Sequence, residues 1–170
     1  MKKIKTIGLA FAILVVVLGG FITWYNITYS QSVISSFEVG DSNSPSKLLI
    51  ASQGSEFKDI LVKKLVSKLK ENQIYIKVVD ATTLSKEETE WDAIVVMNSI
   101  EIFKMQKDAK TFIESINDKS KIVLINTAGD ESGFIDKEVK VDTLTSASKN
   151  DELKPLTETI LKKIGLILKK

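Results

Sequence analysis

From Ile7 to Tyr25 the chain carries no charged residue. The run Ile7-Gly8-Leu9-Ala10-Phe11-Ala12-Ile13-Leu14-Val15-Val16-Val17-Leu18 leads into Phe21, Ile22, Trp24 and Tyr25. About 20 apolar residues, rising roughly 1.5 Å each, cross a hydrocarbon core of roughly 30 Å. Trp24 and Tyr25 suit the aromatic belt of an interface. The pattern predicts one transmembrane helix over 7–25, an uncleaved signal anchor. The competing reading is a cleaved secretory signal. Against it, Thr28-Tyr29-Ser30 is a poor small-x-small site, and the run exceeds the usual core of about 7–15 residues. Lys2, Lys3 and Lys5 make 1–6 a basic segment that the positive-inside rule keeps cytoplasmic. No positive charge follows until Lys47. The expected topology is single-pass in a membrane, N-terminus cytoplasmic and C-terminal domain extracytoplasmic.

Residues 26–46, with several Ser and with Gly40, Asp41, Asn43 and Pro45, read as a linker in which Val33, Ile34 and Phe37 could pack locally. A domain over 47–170 follows, alternating two periodicities. Leu48-Leu49-Ile50-Ala51, Ile74 to Val79, Ala93-Ile94-Val95-Val96-Met97 and Ile122-Val123-Leu124-Ile125 are short apolar runs, read as buried strands, with the third central. Val139 to Leu144 alternates like a half-exposed edge strand. Residues 57–72, 103–117 and 151–168 carry helical stripes: Leu61, Val62, Leu65, Val66 and Leu69 in the first, Met105, Ala109, Phe112, Ile113 and Ile116 in the second. Pro155 fits the third only in its first turn. Apolar strands alternating with amphipathic helices predict α/β architecture, a parallel sheet covered on both faces. Five strands in this length fit a flavodoxin-like three-layer sandwich of order 2-1-3-4-5. The stretches 80–91 and 126–138 leave room for only a turn or two of helix.

Composition narrows the chemistry. The 24 basic residues are all lysine, and neither His nor Cys occurs. That removes the usual general base, the thiolate nucleophile, disulfides and the commonest metal ligands. Without Arg, anion recognition falls to Lys and backbone N–H groups. Setting Lys2, Lys3 and Lys5 aside leaves 21 basic against 22 acidic side chains. A near-neutral domain argues against nucleic acid as partner. Ser52 has no His to activate it, so a hydrolase has little support. Asp130, Glu131, Asp136 and Glu138 match no calcium-loop spacing and read as a solvated acidic loop. Lys162, Lys163, Lys169 and Lys170 read as a solvated face, and Trp91 and Tyr75 as packing residues.

Four stretches carry a resemblance: Ala51-Ser52-Gln53-Gly54-Ser55-Glu56-Phe57-Lys58; Trp91-Asp92-Ala93-Ile94-Val95-Val96; the segment Asn98-Ser99-Ile100-Glu101-Ile102-Phe103-Lys104-Met105 running on to Phe112-Ile113; and Lys121 to Gly129. In this order they resemble flavodoxin domains of the menaquinone-dependent protoporphyrinogen oxidase type, over roughly residues 47–168. The resemblance implies FMN at the C-terminal ends of strands 1, 3 and 4. Ser52, Gln53, Gly54 and Ser55 are then the phosphate loop, with backbone N–H groups and a helix N-terminus aimed at the anion. Asn98, Ser99, Ile100, Asn126, Thr127 and Gly129 would flank the isoalloxazine ring. No residue is assigned a catalytic role, and no metal is expected.

The chain departs from that family's pattern. Its phosphate loop is one residue shorter. Glu56 stands near the position of a Thr hydroxyl, where a carboxylate repels phosphate. Glu101 replaces an aromatic and Phe103 a glycine. Two functions follow. One is a membrane-anchored flavodoxin-like protein that carries FMN and passes electrons to a redox partner. The other is a degenerate domain without flavin, a binding or assembly module for a membrane-protein partner. The plain alternatives for the individual residues are Ser55 as N-cap of the first helix and Asn98-Ser99 as a cap before the second.

Overall fold

The computed structural model describes residues 12–24, 33–86, 90–100, 105–128 and 139–169. The chain divides into two compact units, Met1–Gln31 and Ser32–Lys170.

Within the first unit, residues 12–24 form helix α1. Among the described residues no helix is long and apolar enough to cross a membrane, which corrects the spanning helix expected over 7–25. Residues 7–11 and 25 of the expected span lie outside the described residues. Ile13, Leu14, Val16 and Trp24 along α1 are all more than half exposed.

The second unit is a layered α/β domain. Its strands are β1 (Phe37–Val39), β2 (Ser46–Ser52), β3 (Ile74–Asp80), β4 (Ala93–Ser99), β5 (Ile122–Thr127) and β6 (Asp142–Ser146). Its helices are α2 (Glu56–Leu69), α3 (Lys107–Ser115) and α4 (Leu153–Ile167). The six strands stand in the order β1-β3-β2-β4-β5-β6. All neighbours are parallel except β1, which runs antiparallel to β3 with Glu38 opposite Lys77. The expected five-stranded, all-parallel sheet is therefore corrected to six strands. The added strand comes from the Ser-rich segment, and three residues are too few to show a period in sequence. At the other edge, the expected strand from Val139 starts later. Val139 is buried in the core, and Val141 N–H donates to its carbonyl at 3.2 Å in a tight turn before β6.

Alternation sorts the strand residues into two apolar layers. Leu48, Ile50, Ile76, Val78, Val95, Met97, Val123 and Ile125 face Leu61, Leu65 and Leu69 of α2 and Leu156, Ile160 and Ile164 of α4. Leu49, Ala51, Val79, Ile94, Val96 and Leu124 face Ala109, Phe112 and Ile113 of α3, with Leu84 and Trp91. Every residue of β4 is buried, as a central strand covered on both sides requires. Tyr75 and Trp91 stack on each other, ring centroids 6.1 Å apart. The thin crossover after β3 is a short 3-10 helix, Ala81–Lys86.

A buried carboxylate joins the start of the domain to the sheet. Asp80, 3% exposed, accepts from Ile34 N at 2.9 Å and from Thr82 N and Oγ1 at 2.9 and 2.5 Å. Asp80→Ala leaves these donors without acceptors, at an expected cost of about 2–3 kcal/mol. Urea unfolding should show the loss, and hydrogen exchange at the Ile34 and β1 amides should accelerate. Wild-type exchange at Ile34 would contradict this role.

Candidate functional site

The direction of crossover reverses at β2. The chain steps from β2 to β3 on one side, then returns to β4 on the other. In an open α/β sheet this switch point leaves a crevice beyond the carboxyl ends of the strands. Ser52 pairs in register with Asp80 and Met97, so Ser52-Gln53-Gly54-Ser55 leaves the sheet at that crevice.

The loop turns tightly into α2. Ser55 adopts an extended conformation and its Oγ accepts from Lys58 N at 3.3 Å, which makes it the N-cap. Ser52 Oγ donates to the Gln53 carbonyl at 3.0 Å, and Gln53 N–H donates to the Met97 carbonyl at 3.3 Å. Ser52, Gln53 and Gly54 are buried. Glu56, the acidic residue expected near the phosphate, is exposed.

Two other side chains fill the crevice. Gln53, 2% exposed, accepts the Ser99 N–H through Oε1. Lys58, 1% exposed, donates from Nζ to Ser99 Oγ. Gln53 Nε2 is buried without a hydrogen-bond partner. One end of the sheet thus holds a buried ammonium group, an unsatisfied amide donor and the N-terminus of a 14-residue helix, whose first N–H groups have no intrahelical acceptor. Each of these donors suits an anion; the Asp80 carboxylate, buried beside Ser52 at the end of β3, and Asp59 Oδ1, buried without a hydrogen-bond partner on the first turn of α2, oppose one.

The expected ring-flanking residues occupy the ends of β4 and β5. Asn98 and Asn126 stand opposite each other, and Asn98 Nδ2 donates to Asn126 Oδ1 at 3.2 Å. Asn98 Oδ1 accepts from Gln106 N, the N-cap residue of α3, at 3.0 Å. Both ends of that side-chain amide are committed to holding β5 and the start of α3. Thr127 Oγ1 donates to the Asn98 carbonyl at 3.3 Å, and Ile100 N–H to the Thr127 carbonyl at 2.9 Å. Ser52, Gln53, Gly54, Ser55, Asn98, Ser99, Ile100, Asn126 and Thr127 therefore gather at one end of the sheet. Gly129, Glu101 and Phe103 lie outside the described residues.

Lys58 was not singled out from the sequence, although a signal exists. It precedes Leu61 by three residues, Val62 by four and Leu65 by seven. That spacing places it on the buried face of α2. Glu152 is a second omission: its Oε2 accepts from Ser146 Oγ and, at 3.0 Å, from Ala147 N, fastening the end of β6 to the start of α4. Among the described residues no group of His, Cys, Asp or Glu could hold a metal ion.

No family model matches the sequence, and no curated protein matches it. Solved structures share its fold. The flavodiiron core from Synechocystis sp. superimposes with a TM-score of 0.54 at 9% identity, over 75% of this chain and 37% of that one. A flavodoxin from the domain Archaea gives 0.53 at 13% identity, over 71% of this chain and 98% of that one. The diflavin flavoprotein A3 from Nostoc sp. gives 0.50 at 13%, over 73% and 94%. This chain spans little more than a third of the flavodiiron core and nearly all of the flavodoxin. The fold is flavodoxin-like, with six strands, mostly parallel.

Proposed function

We propose that this domain binds FMN at the carboxyl ends of β2 and β4 and serves in electron transfer. The observation that carries the reading is the donor set at the switch point: the unsatisfied Gln53 Nε2 and the buried Lys58 ammonium beside the α2 N-terminus. These groups fit the phosphate of FMN, a dianion with three acceptor oxygens. Solved structures named as a flavodoxin and a diflavin flavoprotein support the same ligand. Gln53, Lys58 and the first N–H groups of α2 would hold the phosphate, with Ser55 fixing the turn that presents them. FMN, when bound, supplies the redox chemistry. The chain's own part is to bind and orient, and with no His or Cys it offers neither an imidazole nor a thiolate to the reaction.

A second reading is a flavin-free binding or assembly module. It is favoured by one observation: Ser99 already has its N–H taken by Gln53 and its Oγ by Lys58, so the crevice is partly filled from within. Titration with FMN decides between them. The expected result is quenching of flavin fluorescence by the purified chain with saturation in the micromolar range. Unquenched fluorescence at high micromolar protein would exclude the flavin and leave the second reading.

A further inference from the structure

Charge is unevenly spread along the two helices that share one layer of the second unit. α2 and α4 pack against each other on the same side of the sheet. Both begin at the carboxyl ends of the strands: α2 follows β2, and Glu152 fastens the start of α4 to the end of β6. Both end at the opposite edge of the sheet, where Ile167 and Leu168 line a pocket with Ser46, the residue paired with Ile74. Toward the crevice the chain carries the acids Glu56, Asp59 and Asp151. Away from it, over residues 61–72 and 160–169, Lys63, Lys64, Lys68, Lys70, Lys162 and Lys169 are exposed, against Glu71 alone among exposed acids. Glu158, one turn before Lys162, is exposed as well. The other nearby carboxylates are engaged: Asp142 pairs with Lys163 at 2.5 Å, and Asp92 and Asp118 accept from the backbone N–H groups of Lys47 and Ser120. The helix dipole explains little of this pattern. Lys68 is the basic residue in the last turn of α2, and the last turn of α4 holds none. Leu166 stands among these lysines, 59% exposed, with Lys162 four residues before it and Lys169 three after. Among the described residues it is the one large apolar side chain exposed on a helix of the second unit.

We infer that this lysine face is a docking surface for anionic lipid headgroups, with Leu166 entering the headgroup layer. A basic helix face that also presents an apolar side chain suits a lipid surface. Each Lys held near an anionic leaflet adds roughly fivefold in affinity. Lysine, a hydrated point charge on a flexible stem, fits such a diffuse surface. An acidic protein fits less well, because residues 61–72 and 160–169 contain neither Arg nor an aromatic, the usual anchors of a protein interface. Docking at this end leaves the crevice open, and the inference is independent of the flavin reading.

The experiment floats the full chain with vesicles of phosphatidylcholine alone or mixed with phosphatidylserine, at low and high salt. Any uptake through the apolar residues of α1 is common to both vesicles. Lys2, Lys3 and Lys5 also answer to anionic lipid, so the variants decide. Lys63→Gln with Lys64→Gln should cut affinity for the mixed vesicles about tenfold. Lys107→Gln with Lys140→Gln, exposed lysines elsewhere on the domain, should leave it unchanged. Leu166→Ser should lower it several-fold, and high salt should erase the difference between the two lysine pairs. No gain from phosphatidylserine in the wild-type chain overturns the inference and leaves an acidic protein as the partner to seek. Equal affinity in the two lysine pairs overturns it too. Should the Lys63 and Lys64 pair not fold, unchanged affinity in folded Leu166→Ser does so.

Discussion

Gly40→Ala is expected to destabilise the domain by about 2–4 kcal/mol, among the larger effects available to a single methyl group. Gly40 sits at φ +92°, directly after β1, in a region that side chains rarely adopt. A Cβ there would lie 2.5 Å from the Ile74 carbonyl oxygen and 3.3 Å from Ile74 C and Tyr75 Cα. All three are backbone atoms at the start of β3, where the ladder with β2 begins, so they cannot yield without breaking sheet pairing. The expected outcome is a lower urea midpoint and faster hydrogen exchange in β1. A midpoint within error of wild type would mean that the turn relaxes and that β1 contributes little.

Lys58→Met should weaken FMN binding by about 2 kcal/mol, close to thirtyfold in Kd. Met retains most of the buried stem and removes the charge. If the ammonium group serves the phosphate, the loss appears in FMN affinity and riboflavin affinity stays unchanged. If Lys58 only ties α2 to the end of β4 through Ser99, Tm falls and the two flavins respond alike. Fluorescence titration beside thermal unfolding separates the outcomes, and equal FMN affinity in a folded variant would remove Lys58 from the site.

Much of the sheet was legible in the chain. The runs at Leu48, Ile74, Ala93 and Ile122 became β2, β3, β4 and β5, because a strand buried on both faces must be apolar throughout. Ser55 was legible as a cap for the same local reason: a hydroxyl before a helix meets an orphan N–H. β1 was not legible, since it is three residues long and takes its register from β3. The apolar run near the N-terminus signalled a spanning helix, but among the described residues no helix is long and apolar enough to cross a membrane.

In the loop after β2, the sequence alone does not show which charged side chain is buried. Glu56 and Lys58 are two residues apart, about 200° around a helix, so one faces solvent and the other the sheet. Linear position alone does not distinguish the two. The amino-acid sequence by itself determined the alternation of strands and helices, the apolar faces and the absence of imidazole and thiol chemistry, all properties of local pattern and composition. Only the tertiary structure decided that Gln53 and Lys58 meet Ser99, more than forty residues away in the chain. Such a meeting depends on parallel strands β2 and β4 aligning their ends, a long-range register that short-range periodicity does not encode.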